Sequence, residues 1–284
     1  MVIAVSRRDL LQCGTAAVLG VSAIAGPAFA QTAGNEPKQD LFYREDWFGE
    51  PWRKPETAVL IHGNDESSIV WYAWLPRMGQ EFRLIRPDLP GFGRSKVPAG
   101  FEWSLKSLAT FVARVLDKAG VQSAHIIGAK TGGAIAMQFA ADYPARTRTL
   151  SVASGPASVI EVSNPSKIPQ HDRLGSNASK EMIEYWNTMF TTAPDEGTKG
   201  LRTALSKFDL ARDGVLQRIK APTLVITADK SALQSVEKVR RYQLLIPNSR
   251  LAVLHSDAYH IAAANADECV TNVLAFIKET RQRT

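Results

Sequence analysis

Cysteine is almost missing from this 284-residue sequence, where Cys13 and Cys269 are the only two. That count excludes a disulfide framework and a cysteine-rich zinc site. There is no large excess of either charge, with 34 Lys and Arg against 28 Asp and Glu, interleaved along the chain. The resulting +6 forms no basic stripe, so no nucleic-acid partner is expected. Long apolar runs are also missing, and no later stretch approaches the roughly 18 residues that would suggest a membrane span. No internal repeat or low-complexity tract occurs. What is present is 45% apolar and 22% charged residues, enough for a sizeable core. The length suits one large α/β domain or two ordinary ones.

Residues 1–30 read as an address. Ser6-Arg7-Arg8-Asp9-Leu10-Leu11 is followed by an apolar run, Ala16 to Ala25, and Pro27-Ala28-Phe29-Ala30 closes with small-x-small spacing. The run is too short to span a bilayer, so a cleaved leader is expected rather than an anchor. The arginine pair resembles the twin-arginine export signal, which implies a periplasmic protein cleaved after Ala30. Residues 31–40 read as a linker. After cleavage no membrane association is expected, and the chain is read as a monomer or homodimer. Cys13 leaves with the leader, and Cys269 is expected buried on the apolar side of the last helix.

The remainder alternates strand and helix signals. Apolar runs at Thr57–Ile61, Phe82–Arg86, Ala124–Ile127, Thr149–Ala153, Thr223–Ile226 and Leu251–Leu254 have the length and bounding of buried parallel strands. Between them, Ser104–Ala119 places Leu105, Leu108, Phe111, Val112, Val115 and Leu116 on one stripe, with Ser104 as N-cap and Gly120 as stop. Gly133–Tyr143, Val236–Leu245 and Ala266–Lys278 are further helix candidates. The order predicts a mostly parallel, doubly wound sheet. Residues 157–211 lack strand runs and carry helical patches at Lys180–Phe190 and Lys199–Phe208. They read as a helical cap over the carboxyl ends of the strands, where Tyr185, Trp186, Met189 and Phe190 would line a pocket or form the cap's own core. Trp71 and Trp74 read as core, with Trp71 near enough to reach a cleft.

Four landmarks follow in fixed order: Val59-Leu-Ile-His62-Gly63-Asn64, Asp88-Leu-Pro-Gly91-Phe-Gly93-Arg-Ser95, Ile127-Gly128-Ala129-Lys130-Thr131-Gly132-Gly133, and Ala258-Tyr259-His260. Together, over residues 41–280, they resemble the α/β-hydrolase superfamily. Members carry Gly-x-Ser-x-Gly at the strand–turn–helix elbow. Here Gly128 and Gly132 keep the glycine places, Lys130 stands where serine belongs, and no one-residue shift restores a serine. The resemblance implies a site of Lys130, His260 and an acid. The family's acid position aligns with Ser231; Asp229 is the nearest carboxylate, and Asp257 a weaker one. Oxyanion-hole amides would come from Asn64 and Thr131. Tyr259 replaces the glycine that commonly precedes the histidine.

A lysine nucleophile is unattractive for ester hydrolysis, because the acylated product is an amide and hydrolyses far more slowly than an ester. Three uses remain. A helix N-terminus and a dry cleft disfavour an ammonium, and a neutral amine could form a Schiff base with a carbonyl substrate. Alternatively, a charged Lys130 paired with Asp229 stabilises a developing oxyanion or enolate while His260 moves the proton. Or the site is dead and the scaffold only binds a ligand. The expected substrate is a small carbonyl compound. His62 reads as structural, His125 as a satisfied strand histidine, and His171 and His255 as having no partner by spacing. No histidine pair sits with carboxylates at ligand spacing, so neither metal nor other cofactor is expected. Gly-Ala-Lys-Thr-Gly lacks the order of a phosphate loop.

Overall fold

A computed structural model describes residues 38–159 and 168–282. The leader and most of the linker lie outside the described residues, but the linker's end is anchored. Gln39 N–H donates to Arg94 O (2.8 Å), and Lys96 N–H donates to Gln39 O (2.8 Å). Among the described residues, no helix is long and apolar enough to cross a membrane.

Among the described residues, seven strands form one sheet: β1 (Tyr43–Asp46), β2 (Glu56–Ile61), β3 (Phe82–Pro87), β4 (Ala124–Ala129), β5 (Thr147–Ala153), β6 (Thr223–Ala228) and β7 (Ser249–Leu254). Their order is β1-β3-β2-β4-β5-β6-β7, parallel throughout except for β1 against β3. The helices are α1 (Leu75–Glu81), α2 (Leu105–Lys118), α3 (Thr131–Asp142), α4 (Gln170–Leu174), α5 (Lys180–Thr191), α6 (Asp195–Ala204), α7 (Val215–Arg218), α8 (Val236–Gln243), α9 (Ile261–Ala264) and α10 (Ala266–Arg281). All six apolar runs become strands. β1 has no apolar run to announce it. It is a charged edge strand, held by Arg83–Glu45 (2.7 Å) and Arg86–Asp46 (2.7 Å) ion pairs to β3.

The sheet is covered on both faces, and its side chains alternate accordingly. In β2, Val59 and Ile61 join the core under α2 and α3, whereas Ala58 and Leu60 join the core with Trp71, Trp74 and the apolar face of α10. β4 divides in the same way, Ala124 and Ile126 on one face, Ile127 and Ala129 on the other. Each fully buried Leu, Ile or Phe contributes about 1.5–3 kcal/mol, so these two layers fix the strand register. The Ser104 side chain caps α2 by accepting from Ser107 N–H (3.0 Å). Cys269 is buried on the inner face of α10, and burial raises its thiol pKa.

Between β5 and β6 the chain runs through α4, α5, α6 and α7. The sequence pattern misplaces α6, predicting Lys199–Phe208 where the helix is Asp195–Ala204. Pro194 ends the preceding segment, and two acids, Asp195 and Glu196, open the first turn.

His125 lies in β4 between Thr149 Oγ1 (2.9 Å) and Glu56 Oε2 (3.3 Å), edge-on to Phe82. Burial, then the charge of Arg281, lowers its pKa from 6.5 to about 4. A histidine buried neutral binds its proton more readily when unfolded. Its contribution is complete above pH 6.5 and is lost as pH falls towards 4, at up to about 1.4 kcal/mol per pH unit. Urea titrations of native protein and His125→Gln between pH 7 and 4 should give a flatter stability curve for the variant; parallel curves would refute this.

Candidate active site

The turn from β4 to α3 is set by backbone crowding. Lys130 has φ 51° and ψ −129°, a conformation side chains rarely adopt and that costs on the order of 1–3 kcal/mol. It survives because its surroundings permit no other path. A Cβ on Gly132 would lie 2.3 Å from Ile61 O, and one on Gly128 would lie 2.4 Å from Gly132 O. Lys130 N–H donates to Ala153 O (3.0 Å), tying the turn to the end of β5. The lysine side chain therefore projects from the carboxyl edge of the sheet, at the start of α3.

Its partner is Glu66. Lys130 Nζ donates to Glu66 Oε1 in a short, buried ion pair. Glu66 Oε2 accepts from Gly63 N–H (2.8 Å), and Glu66 Oε1 lies 3.6 Å from His260 Nε2. All three residues are buried, with Lys130 8%, Glu66 5% and His260 2% exposed. Burial raises the Glu66 pKa, but the neighbouring positive charge and the hydrogen bonds from Lys130 and Gly63 outweigh it and hold the group at about 2. Burial, then the Lys130 charge, lowers His260 to about 3 against the opposing pull of Glu66. The histidine is thus a neutral imidazole at neutral pH, beside a fixed ion pair.

This corrects the expected pairing of Lys130 with Asp229. Asp229 accepts from His255 Nδ1 (2.7 Å) and Ser256 N–H (3.0 Å), and the His255 bond leads in lowering its pKa. The family position favoured a carboxylate in the loop after β6, whereas the charge on Lys130 is met from the loop after β2. His255 and His171 also have acidic partners that spacing did not reveal, Asp229 and Asp172 (2.9 Å). Ser231 Oγ is buried and has no hydrogen-bond partner among the described residues. Asp257 accepts from Ser176 N–H (3.0 Å).

The two expected oxyanion amides differ. Thr131 opens α3, so its N–H has no intrahelical acceptor. Asn64 N–H instead donates to Thr131 Oγ1 (2.7 Å). His62 is structural: Nδ1 bonds Gly63 O (2.7 Å), and Nε2 accepts from Leu89 N–H (2.9 Å). Asp88 fixes its turn by accepting from Ser68 N–H and Arg94 N–H.

The inserted helices reach the site at three points. Trp186 of α5 meets the His260 ring edge to face at 4.3 Å, and its ring lies 6.0 Å from Lys130 Nζ. Arg173 O of α4 accepts from His260 N–H (2.8 Å). Thr198 Oγ1 of α6 donates to Asp65 Oδ1 (2.7 Å), one residue before Glu66. Of the other expected pocket residues, Tyr185 meets Tyr72 and Trp186 edge to face, Met189 packs into the α10-side core, and Phe190 lies under the Arg173 guanidinium. Trp71 is core, edge-on to Trp74. Among the described residues, no cluster of three or more His, Cys, Asp or Glu side chains suits a metal ion.

Comparison with known proteins agrees with this architecture. The family described as the alpha/beta hydrolase fold matches residues 57–174. A poly(3-hydroxyalkanoate) depolymerase from Ectopseudomonas oleovorans is 25% identical over 258 residues, 83% of this chain and 88% of the depolymerase. A 2-hydroxy-6-oxo-2,4-heptadienoate hydrolase from Pseudomonas putida is 32% identical over 96 residues, 33% of this chain and 35% of that protein. The enol-lactonase from Burkholderia xenovorans shares the fold with a TM-score of 0.74 at 21% identity, over 84% of this chain and 96% of that one. The chain has the α/β-hydrolase fold.

Removing one member of a buried ion pair leaves the other charge uncompensated, at a cost of about 3–5 kcal/mol. Lys130→Met and Glu66→Gln should each destabilise by that order in urea unfolding, and the double variant by clearly less than their sum. Additive losses would show that the two charges do not compensate each other.

Proposed function

We propose that this chain, a member of the α/β-hydrolase-fold superfamily, is an enzyme acting on a small carbonyl compound, as a hydrolase or C–C lyase, with Lys130 and His260 in place of a serine triad. The observation that carries this reading is the Lys130–Glu66 pair beside an uncharged His260. A lysine engaged as an ammonium is a poor amine nucleophile, which favours the electrostatic role over a Schiff base. In this role the substrate carbonyl oxygen faces Lys130 and the Thr131 N–H. His260 removes a proton from water, and the hydroxide adds to the carbonyl carbon. The C=O electron pair moves to the oxygen, where the cation stabilises it. Collapse expels an alkoxide or enolate, which takes the proton back from His260. Relatives and fold neighbours named as a depolymerase, a hydrolase and an enol-lactonase support bond cleavage. The Arg7–Arg8 leader supports a periplasmic setting.

A second reading, a ligand-binding or sensor protein on an inactive scaffold, is favoured by one contact. Asn64 N–H is already satisfied by Thr131 Oγ1, which occupies one of the two oxyanion donors.

Turnover separates the readings. 4-Nitrophenyl acetate, dihydrocoumarin and acetylacetone sample an ester, a lactone and a C–C substrate. The enzyme reading expects at least one to be consumed, with Lys130→Ala lowering kcat/KM by about 10²–10³-fold, the usual loss for one oxyanion donor. Undiminished turnover by Lys130→Ala sinks the assigned role. Borohydride treatment during turnover should leave no adduct on Lys130 by mass spectrometry; an adduct would establish the Schiff-base route.

The pH profile tests His260 separately. A base that must be neutral fails below its pKa, so the acid limb of kcat/KM should lie near pH 3 rather than near 6.5. Lys130→Met removes a charge that lowers His260, so residual activity should lose its acid tolerance and the limb should move up. An acid limb near 6.5 in the native enzyme would show that burial and the Lys130 charge do not depress His260.

A further inference from the structure

Glu66 is bound in the way a ligand carboxylate is bound. An ammonium (Lys130 Nζ) and a backbone amide (Gly63 N–H, 2.8 Å) donate to its two oxygens, and an imidazole nitrogen (His260 Nε2) lies 3.6 Å from one of them. Charge-assisted donors converging on both oxygens of one buried carboxylate make an anion pocket. Its occupant belongs to the chain itself. The Glu66 side chain is only 2% exposed, and its loop is pinned. Asp65, the preceding residue, sits at φ 62° and is held on one oxygen by Thr198 and on the other by Asn64 Nδ2 (2.9 Å).

We propose that Glu66 sets the charge specificity of the site. The native chain admits an uncharged ester, lactone or ketone to Lys130 and excludes organic acids. A second carboxylate at Lys130 would lie a few ångströms from Glu66 in a pocket with little water to screen the repulsion. A neutral carbonyl meets no such barrier, and its oxygen becomes negative only as the reaction proceeds. Removing the Glu66 side chain leaves Lys130 and the Gly63 amide without their anion, in a space the size of a small carboxylate. Glu66 thus acts as a specificity residue, through the charge it holds against Lys130. The inference rests on the proposed function only in taking this pocket as the substrate site.

Formate, the carboxyl group of Glu66 without its stem, is the probe. Thermal unfolding is followed for native protein, Glu66→Ala and Glu66→Ala/Lys130→Met, in about 50 mM sodium formate or the same concentration of sodium chloride. A ligand that binds only the folded state raises Tm. Glu66→Ala should gain about 3 °C or more in formate over chloride, while the native protein and the double variant should show no difference. The proposal is overturned by no gain in Glu66→Ala, by an equal gain in the native protein, or by a gain that persists without Lys130. If Glu66→Ala does not fold in chloride, it is diluted from urea into each salt. Recovery in formate alone supports the proposal, and equal recovery or none in both overturns it. The readout needs no turnover, so a formate response can stand in a chain that consumes no substrate, and turnover of a neutral ester can stand without it.

Discussion

The buried contact between Lys130 and Glu66 is the interaction on which the rest of the site depends. The elbow forces its central side chain to project from the sheet edge into a dry space, whatever that side chain is. A serine there is neutral and needs only a hydrogen bond. A lysine brings a charge whose burial alone is prohibitive, so a carboxylate must accompany it. Glu66 meets this need, and the shape of its loop follows. Gly63 turns its amide onto Glu66, Asp65 accepts a left-handed backbone, and Thr198 anchors Asp65 from outside the sheet.

The pair also changes what the histidine can be. In a serine triad the acid favours the imidazolium that forms during reaction. Here the carboxylate facing His260 is already engaged by an ammonium, and the ammonium itself opposes a second positive charge. Asp229 offers no relief, being bound to His255 and Ser256. His260 is therefore an uncharged imidazole that resists protonation. The positive charge that an oxyanion would face comes from the elbow residue.

Much of the fold was legible because it rests on periodicity. The apolar runs that became β2 to β6 are largely buried, so their composition announces them, and β7, the half-exposed edge strand, still carries Leu251, Ala252, Val253 and Leu254. β1 escaped because an edge strand of Tyr, Arg, Glu and Asp carries no such signal. The elbow was legible from Gly128 and Gly132, whose absent side chains are demanded by Ile61 O and Gly132 O. Glu66 was not, because the family's order of residues directs attention to the loop after β6. A signal was nevertheless available. A lysine at a buried turn requires a carboxylate from a loop at the same sheet edge, and Glu66 lies only three residues beyond Gly63. Charge balance would have raised it beside Asp229, although sequence spacing alone cannot choose between loops that meet only in three dimensions. Trp186 was legible as a pocket candidate from its place in the inserted segment, but its contact with His260 depends on how α5 settles.

The inserted helices supply the condition under which such a pair has chemical consequences. In water, two charges at contact distance interact weakly, and an imidazole beside them titrates near its ordinary value. Both effects require that water be kept away. Trp186 covers His260 and faces Lys130, α4 holds the His260 backbone through Arg173 O, and α6 fixes the loop that carries Glu66. None of these contacts comes from the sheet. The sheet and elbow position the three ionisable groups, while α4, α5 and α6 set the dielectric around them. A change in the packing of those helices would therefore alter the acidity of His260 and the strength of the ion pair without touching either residue.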